Sequence, residues 1–343
     1  MTKLKLAVVI LNWNGKKFLE KFLPSVMNNN PSYAKVFVAD NGSVDDSVEF
    51  LQKHFPDVEL IKLGKNFGYT GGYNRALGKI EAEYYLLLNS DIEVSPGWIE
   101  PMVEQMDARN DVAACQPKIL SYHKPDFFEY AGAAGGFIDY LGYPFCRGRV
   151  FNHLEEDKEQ YDDPAEVFWA TGACMMVRAA DFYRAGALDE SFFAHMEEID
   201  LCWRLKRTGK KIMCIPASKV YHVGGGTLPK NNPRKTYLNF RNNMLLLAKN
   251  LPASRFYPLM VKRIILDQVA AFQFMLKGQV RDSFAVYRAG VSVLKNLRKT
   301  RNQGKKIEYN EVTPVYKKSI VWKFFIKRTK CFSDLQSRHF QNL

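Results

Sequence analysis

Short continuous apolar runs alternate with amphipathic stretches through the first third of the chain. Residues 6–11 are uninterrupted apolar and rich in β-branched side chains, the pattern of a central strand buried on both faces. Helical spacing follows over 17–27, a second strand over 35–39 ending at Asp40, a helix over about 46–54, and a third strand over 58–63. A helix over 73–80 then leads to a fourth strand at 84–88. Strands alternating with helices at this pace predict an α/β fold with a mostly parallel sheet and helices on both faces. Beyond it the pattern gives a helix over 101–110, a strand over 112–117, and an irregular stretch over 121–163 that suits a hairpin and loop above a pocket. Residues 167–177 are strand-like but broken at Thr171-Gly172. A helix starts near Glu197 and stops by Gly209, 211–215 is a strand, and 220–222 is apolar up to His222. Past residue 250 the spacing is helical over 257–276 and 280–297.

In such sheets ligands bind beyond the carboxyl ends of the strands. Asn12, Asp40, Asn66 and Asp91 all fall there, so four polar strand-ends converge. The last belongs to LLLNSDIEV, 86–94, where Asn89 and Asp91 leave an extended backbone on the same side with Ser90 between them. An amide and a carboxylate at one spot can hold a hard cation such as Mg2+ against a substrate phosphate. Asn, Ser and Asp are also ordinary turn residues, and a turn alone would explain them. The stretch 64–74 is glycine-rich, with Gly68, Gly71 and Gly72. Before a helix it could present N–H groups to an anion, or simply connect strand to helix. The dinucleotide fingerprint is absent, since LNWNG follows the first strand. Glu197, Glu198 and Asp200 open a helix, where acids suit the dipole as well as they suit catalysis.

Composition narrows the class. At 343 residues and 47% hydrophobic, the chain can bury a sizeable core, and global disorder is excluded. The net charge is +13, but residues 290–343 carry thirteen Lys/Arg against three Asp/Glu, or +10 of it. The basic excess is a property of the tail rather than a stripe on the main domain, which argues against a nucleic-acid partner. Six scattered cysteines without a CxxC pair read as buried thiols in a reducing compartment, and a zinc site is not expected. The N-terminal apolar run has no cleavage pattern and reads as a strand, and no span of about 18 apolar residues exists for a membrane crossing. Within the tail, KKSIVWKFFIKRTK at 317–330 sets aromatics between basic residues. It is expected either to sit on an anionic membrane surface or to dock on the main domain with a solvated basic face.

The ordered blocks VVILNWNG, VADNGSVDDS, KNFGYTGGYNRAL, LLLNSDIEV, WATGACMMVR and DESFFAHMEEIDLCWRLKRTG…YHVGGGT resemble the inverting glycosyltransferases of family 2, nearest to a bacterial rhamnosyltransferase-like branch. The resemblance covers about residues 4–245 and implies the GT-A nucleotide-diphospho-sugar fold, a catalytic domain over 1–250 and a basic helical region over 251–343. On the donor side it implies Asp40 at the pyrimidine base, with Asn66, Gly72 and Arg75 flanking the nucleotide and diphosphate. Asn12, Asn89 and Ser90 complete that side, and Asp91 with His222 hold Mg2+ or Mn2+. Asn89 stands where the motif more often begins with an acid, leaving Asp91 its sole carboxylate. Glu198 falls where the family has an Asp as general base, one methylene shorter, with Glu197 the fallback. Trp169 and Gly172 would line the sugar and acceptor pocket, and Arg204 and Arg241 would sit near the phosphates. The implied activity is transfer of a sugar, rhamnose first, from a dTDP- or UDP-linked donor to a lipid-linked or cell-surface polysaccharide acceptor, as in lipopolysaccharide synthesis. The implied place is cytoplasmic, peripheral on the inner face of the cell membrane. The competing expectations are a nucleotidyltransferase making nucleotide sugars and a non-catalytic membrane- or nucleic-acid-binding adaptor.

Overall fold

The computed structural model describes residues 3–224, 232–304 and 312–340. The first strands follow the apolar runs closely. β1 (Leu4–Asn12), β2 (Ala34–Asp40) and β3 (Glu59–Lys62) alternate with α1 (Lys16–Asn28) and α2 (Ser47–His54). Leu6 to Val9 are fully buried because both faces of β1 are covered. Leu19, Phe22, Leu23 and Val26 form the buried stripe of α1 at helical spacing. α3 (Gly68–Leu77) starts five residues before the expected helix, so Gly68–Gly72 form its first turns rather than an open phosphate loop. β4 (Ala82–Asn89) and the short β5 (Ile92–Val94) bracket Ser90 and Asp91. α4 (Glu100–Ala108) and β6 (Val112–Ser121) follow.

The middle of the chain builds a second, four-stranded antiparallel sheet from β7 (Gly136–Ile138), β8 (Pro144–Cys146), β9 (Arg149–Val150) and β10 (His153–Leu154). The interrupted run at 167–177 becomes two strands, β11 (Ala165–Val167) and β12 (Cys174–Arg178), and Thr171-Gly172 is the break between them. After α5 (Ala179–Arg184) and α6 (Glu197–Arg207), a single twelve-residue strand, β13 (Lys211–His222), joins what the pattern separated; the interruption is a register shift between Ile215 and Lys219.

The main sheet has nine strands in the order β11-β13-β6-β12-β4-β1-β2-β3, with β5 paired to β13. It is mixed rather than mostly parallel. β1–β2, β1–β4, β2–β3 and β13–β6 run parallel, whereas β12 runs antiparallel to both β4 and β6, and β11 and β5 run antiparallel to β13. The long-range insertion of β12 between β4 and β6 leaves no trace in local periodicity.

Three helices close the described chain on one side: α7 (Pro233–Asn250), α8 (Ala253–Leu276) and α9 (Val280–Gly304). The stretch 317–330 is not a long amphipathic helix. It contains only α10 (Ile320–Phe325), with Ile320 fully buried and Phe324 packed on Phe151 at 5.0 Å between ring centres. The tail then crosses the small sheet, where Tyr316, Phe332 and Phe340 pack against Phe137 and Phe145. Its aromatics therefore join the core cluster, leaving Trp322, Phe325 and Ile326 exposed.

Candidate active site

The parallel register delivers the polar strand-ends to one edge: Asn12 pairs with Asp40, and Leu11 with Asn89. Asn12 Nδ2 donates to Asp40 Oδ1 (3.3 Å) and Ser43 Oγ (3.2 Å), and the Ser43 amide donates to Asp40 Oδ2 (3.1 Å). Asn12 Oδ1 is buried with no hydrogen-bond partner among the described residues. Gly15 sits so close to it, with Ser90 Oγ beyond, that any side chain there would overlap Asn12. Asn41, which sequence reasoning passed over, ties this edge to α3. Its Nδ2 donates to Asn66 Oδ1 (3.2 Å) and to the Gly68 carbonyl (3.0 Å), and its Oδ1 accepts from the Phe67 amide. Gly72 lets α3 lie directly on β1, since a Cβ there would stand 2.7 Å from Leu11 Cδ1. Arg75 stacks over Phe67 (3.9 Å) and pairs with Glu190 (2.8 Å), which latches α3 to the 188–193 segment.

Asp91 meets His222 because β5 pairs antiparallel with β13, setting Ile92 opposite His222. His222 Nε2 lies 3.2 Å from Asp91 Oδ1 and 3.4 Å from Asn89 Nδ2, and His222 Nδ1 lies 3.1 Å from Glu129 Oε2, in ion-pair range but poorly aligned for a hydrogen bond. Burial works against charge on this imidazole, yet the two flanking carboxylates prevail and raise its pKa to about 10. The imidazolium in turn draws Asp91 and Glu129 below the usual carboxylate range against the cost of their own burial. Glu129 comes from the irregular middle of the chain, and no motif pointed to it.

The donor set suits a divalent cation shared with a ligand. Among the described residues no cluster of three His, Cys, Asp or Glu is arranged to hold a metal alone. Asp91 and His222 would supply two ligands, the cation displacing the His222 Nε2 proton as it binds, with diphosphate oxygens and water completing the shell. Glu129 on the far ring nitrogen would fix the tautomer, as carboxylates do for metal-bound histidines.

The acid pair opens α6 at the end of a strained loop. Phe193, His195 and Met196 all have positive φ (65°, 69° and 74°), and none is glycine. Asn242 Nδ2 holds this path by donating to the carbonyls of Phe192, Ala194 and His195 at 2.8–2.9 Å. Glu197 is buried, Glu198 half-buried, and Oε2 of each is shut from solvent without a partner among the described residues. A helix N-terminus by itself favours the ionised form of Glu198. Burial outweighs the nearby backbone amides and pushes it up to about 7. Glu197 is held well above the carboxylate range by burial and by Glu198. His195 is pushed down to about 4 by burial and by Lys235.

Tyr69 links the two halves. Its hydroxyl donates to the Gly172 carbonyl (2.6 Å), its ring sits 4.8 Å from that of Tyr73, and burial together with the charges of Tyr73, Glu197 and Glu198 raises its pKa. The adjacent Ala173 carbonyl accepts from the Asn89 amide (2.8 Å). A path of contacts thus runs from Tyr69 through Gly172 and Asn89 to His222 and Asp91, and the charges of Glu197 and Glu198 are felt at the Tyr69 hydroxyl. Gly172 has no room for a side chain, because a Cβ would lie 2.6 Å from the Tyr69 hydroxyl.

Three expected site residues lie elsewhere. Trp169 is buried against Gly136, with its indole N–H given to the Phe137 carbonyl (3.0 Å), so it is a core residue and not a pocket wall. Arg204 is buried on the inner face of α6, bonded to Asp200 (2.8 Å) and to the carbonyls of Ala185 and Ala187, because a helix with acids at i and arginine at i+4 closes on itself. Arg241 donates to the Ser191 carbonyl (3.0 Å) and Asn242 Oδ1 (2.7 Å), bracing the acid loop instead of reaching for phosphates. The glycines that close the last resembling block, Gly225 and Gly226, lie outside the described residues.

The model of the family described as "Glycosyl transferase family 2" matches residues 7–185. The N-acetylglucosaminyl-diphospho-decaprenol L-rhamnosyltransferase of Mycobacterium tuberculosis is 27% identical over 235 residues, covering 63% of this chain and 75% of that protein. A low-salt glycan biosynthesis hexosyltransferase of Haloferax volcanii is 26% identical over 246 residues, covering 70% and 74%. Among solved structures, GalNAc-T7 with UDP, GalNAc and Mn2+ superposes with a TM-score of 0.57 (17% identity; 72% of this chain, 49% of that one). The S. aureus TarS 1-349 complex with UDP-GlcNAc superposes with a TM-score of 0.54 (13% identity; 91% and 99%). These likenesses establish the Rossmann-like GT-A fold.

Proposed function

Because the chain belongs to glycosyl transferase family 2, we propose that it moves a sugar from a nucleoside-diphosphate donor to a hydroxyl of a lipid-linked glycan, inverting the anomeric centre. The observation that carries this reading is the acid pair at the start of α6, each with one carboxylate oxygen shut from solvent and without a partner among the described residues, together with the Asp91–His222 pair at the strand edge. A donor needs a polar, cation-competent strand edge for its phosphates. An acceptor needs a carboxylate that is not already spent on an ion pair.

Asn12, Asp40 and Asn41, at the carboxyl ends of β1 and β2, would take the base and ribose of the nucleotide. Asp91 and His222, backed by Glu129, would hold Mg2+ or Mn2+ at the diphosphate, where the cation supplies charge neutralisation for the leaving group. Glu198 takes the proton from the acceptor hydroxyl as its oxygen attacks the anomeric carbon and the sugar–phosphate bond breaks. A base with a pKa near the working pH combines a useful ionised fraction with real basicity, and the enclosure that raises Glu198 achieves this. Burial and the neighbouring Glu198 favour the protonated form of Glu197 beside it. Tyr69 fixes Gly172, the backbone against which the sugar would lie. Attack from the α6 side on a leaving group held by the strand edge inverts configuration in one displacement.

Rhamnose on dTDP is the first donor to test, since a rhamnosyltransferase is among the similar proteins. Residues 1–250 would form the catalytic domain and 251–343 its membrane-side extension, on the cytoplasmic face. The test is a panel of dTDP-, UDP- and GDP-sugars with Mn2+, read as nucleoside-diphosphate release. One donor should turn over in wild type and not in Glu198→Gln, while its binding is retained. Equal turnover in the variant removes Glu198 from the role.

A further inference from the structure

α8 and α9 form an antiparallel hairpin that leaves a large apolar area uncovered. On α8 the exposed residues Val261, Ile264, Ile265, Val269, Phe272 and Leu276 recur at intervals of three and four, so they form one stripe. On α9 Val280, Phe284, Tyr287, Val291 and Leu294 do the same. Leu276, Leu294, Ile265, Phe272 and Phe284 are each at least 60% exposed, which is unusual for so many large apolar side chains on neighbouring helices. Arg281, Arg288 and Lys295 follow one another at seven-residue spacing alongside the α9 stripe.

The charge on this hairpin is one-sided. Residues 253–304 hold ten Lys/Arg and two Asp/Glu, a net +8. Both acids are engaged inward: Asp282 accepts from Thr236 Oγ1 (2.5 Å), and Asp267 is largely buried beside Arg263 (3.7 Å). Two copies of such a face would repel each other, so like-with-like pairing is disfavoured. Neither helix, nor any other among the described residues, is long and apolar enough to cross a bilayer. An apolar stripe bordered by basic residues on helices that do not span suits the headgroup region of an anionic membrane.

A pocket sits at the edge of this face. Arg234 and Tyr237 of α7, Arg281, Phe284 and Arg288 of α9, and Phe193 surround a cavity of about 390 Å3. The guanidinium groups of Arg234 and Arg288 lie over the rings of Phe193 and Tyr237 (5.3 and 5.6 Å), and among the described residues no carboxylate lines the space. Phe284 belongs both to the pocket and to the apolar stripe, so the cavity borders the uncovered face. Phe193 belongs to the strained loop that carries Glu197 and Glu198.

We propose that the α8–α9 hairpin docks on an anionic bilayer surface, with a lipid phosphate seated among Arg234, Arg281 and Arg288. This surface, rather than the 317–330 stretch, is the chain's membrane face, and it brings the bilayer beside the loop that bears the acid pair. It deepens the lipid-linked acceptor reading, on which it rests for its purpose but not for its test.

The test is vesicle flotation of the full chain without any sugar donor or acceptor. Wild type is expected to float with phosphatidylcholine vesicles containing a third phosphatidylglycerol, less so at high salt, and not with phosphatidylcholine alone. The combined variant Val261→Ser/Ile265→Ser/Phe272→Ser should lose at least tenfold in vesicle affinity, and so should Arg281→Glu/Arg288→Glu. All five positions lie away from Asp40, Asp91 and His222, so circular dichroism and nucleoside-diphosphate affinity in the absence of vesicles should match wild type. Undiminished flotation of both variants, or no flotation of wild type with anionic vesicles, overturns the proposal. A wild-type dimer in sedimentation that the serine variant dissolves, without vesicle binding, overturns it in favour of a second copy. Flotation that holds while no nucleotide sugar is turned over would sink the transferase reading and leave the docking surface standing.

Discussion

Replacing Glu198 by Gln should stabilise the protein above neutral pH while abolishing transfer. In the folded chain burial raises this carboxyl from 4.5 to about 7. Its folded pKa lies above its unfolded one, so the native state holds the proton longer. The stability associated with that proton is fully present below pH 4.5 and is lost as pH rises through 7. Raising the carboxyl from 4.5 to about 7 corresponds to about 3 kcal/mol of cost for keeping an ionised Glu198 in the fold at pH 8.5. Glutamine has nearly the same shape and no charge to bury, so it removes that cost. At roughly 2 °C per kcal/mol for a chain of this size, Tm should rise by about 4–6 °C at pH 8.5 and by about 1–2 °C or less at pH 5. Scanning calorimetry of both proteins at the two pH values, beside nucleoside-diphosphate release, measures stability and function together. A variant that is less stable than wild type at pH 8.5, or whose Tm difference does not change with pH, would refute the claim that burial holds this acid out of its ordinary range.

Other consequences follow from the same geometry. Turnover in wild type should rise with pH through about 7 as Glu198 ionises; a flat profile between pH 5.5 and 8.5, with chemistry shown to limit the rate, would argue against it as the base. Asp91→Ala should abolish the dependence of nucleoside-diphosphate binding on Mn2+, so that calorimetry with and without the ion gives the same affinity. Glu129→Gln leaves both direct ligands in place but loosens His222, and should weaken Mn2+ binding by roughly 10- to 100-fold; unchanged affinity would make Glu129 merely structural. Asn242→Ala frees three carbonyls of the strained loop, and should lower kcat well beyond any change in donor affinity, at about 1–3 kcal/mol of stability. Equal losses in kcat and donor affinity would show that the loop serves more than the acid pair.

The legible part of this molecule was the part encoded locally. The buried run that became β1 and the polar residues Asn12 and Asp40 at neighbouring strand-ends could be placed from periodicity, because parallel strands in βαβ units align their carboxyl ends. Asp91 and His222 are 131 positions apart, and only the resemblance joined them; the physical cause, β5 pairing with β13, is a long-range register. The same blindness hid Glu129, which arrives from a stretch without periodicity, and β12, whose antiparallel insertion made the sheet mixed. Trp169 and Arg204 misled for a different reason. Each is a residue type that often contacts ligands, and whether an indole or guanidinium points inward is decided by tertiary neighbours: the Phe137 carbonyl for one, Asp200 and two carbonyls for the other. The tail was legible in composition only. Its basic excess was visible, but the exposed apolar face lies on α8 and α9, upstream of the aromatic stretch that drew attention.

Central to the proposed transfer is that donor phosphates meet the protein at Asp91 and His222, with the acid pair facing the same bound donor. Crystals grown with Mn2+ and a nucleoside diphosphate, measured at the manganese absorption edge, address it directly. The account predicts an anomalous peak in contact with Asp91 Oδ1 and His222 Nε2, with phosphate oxygens completing the shell and the base stacked toward Asp40. Manganese and nucleotide bound elsewhere, with Asp91 and His222 still paired to each other, would contradict it.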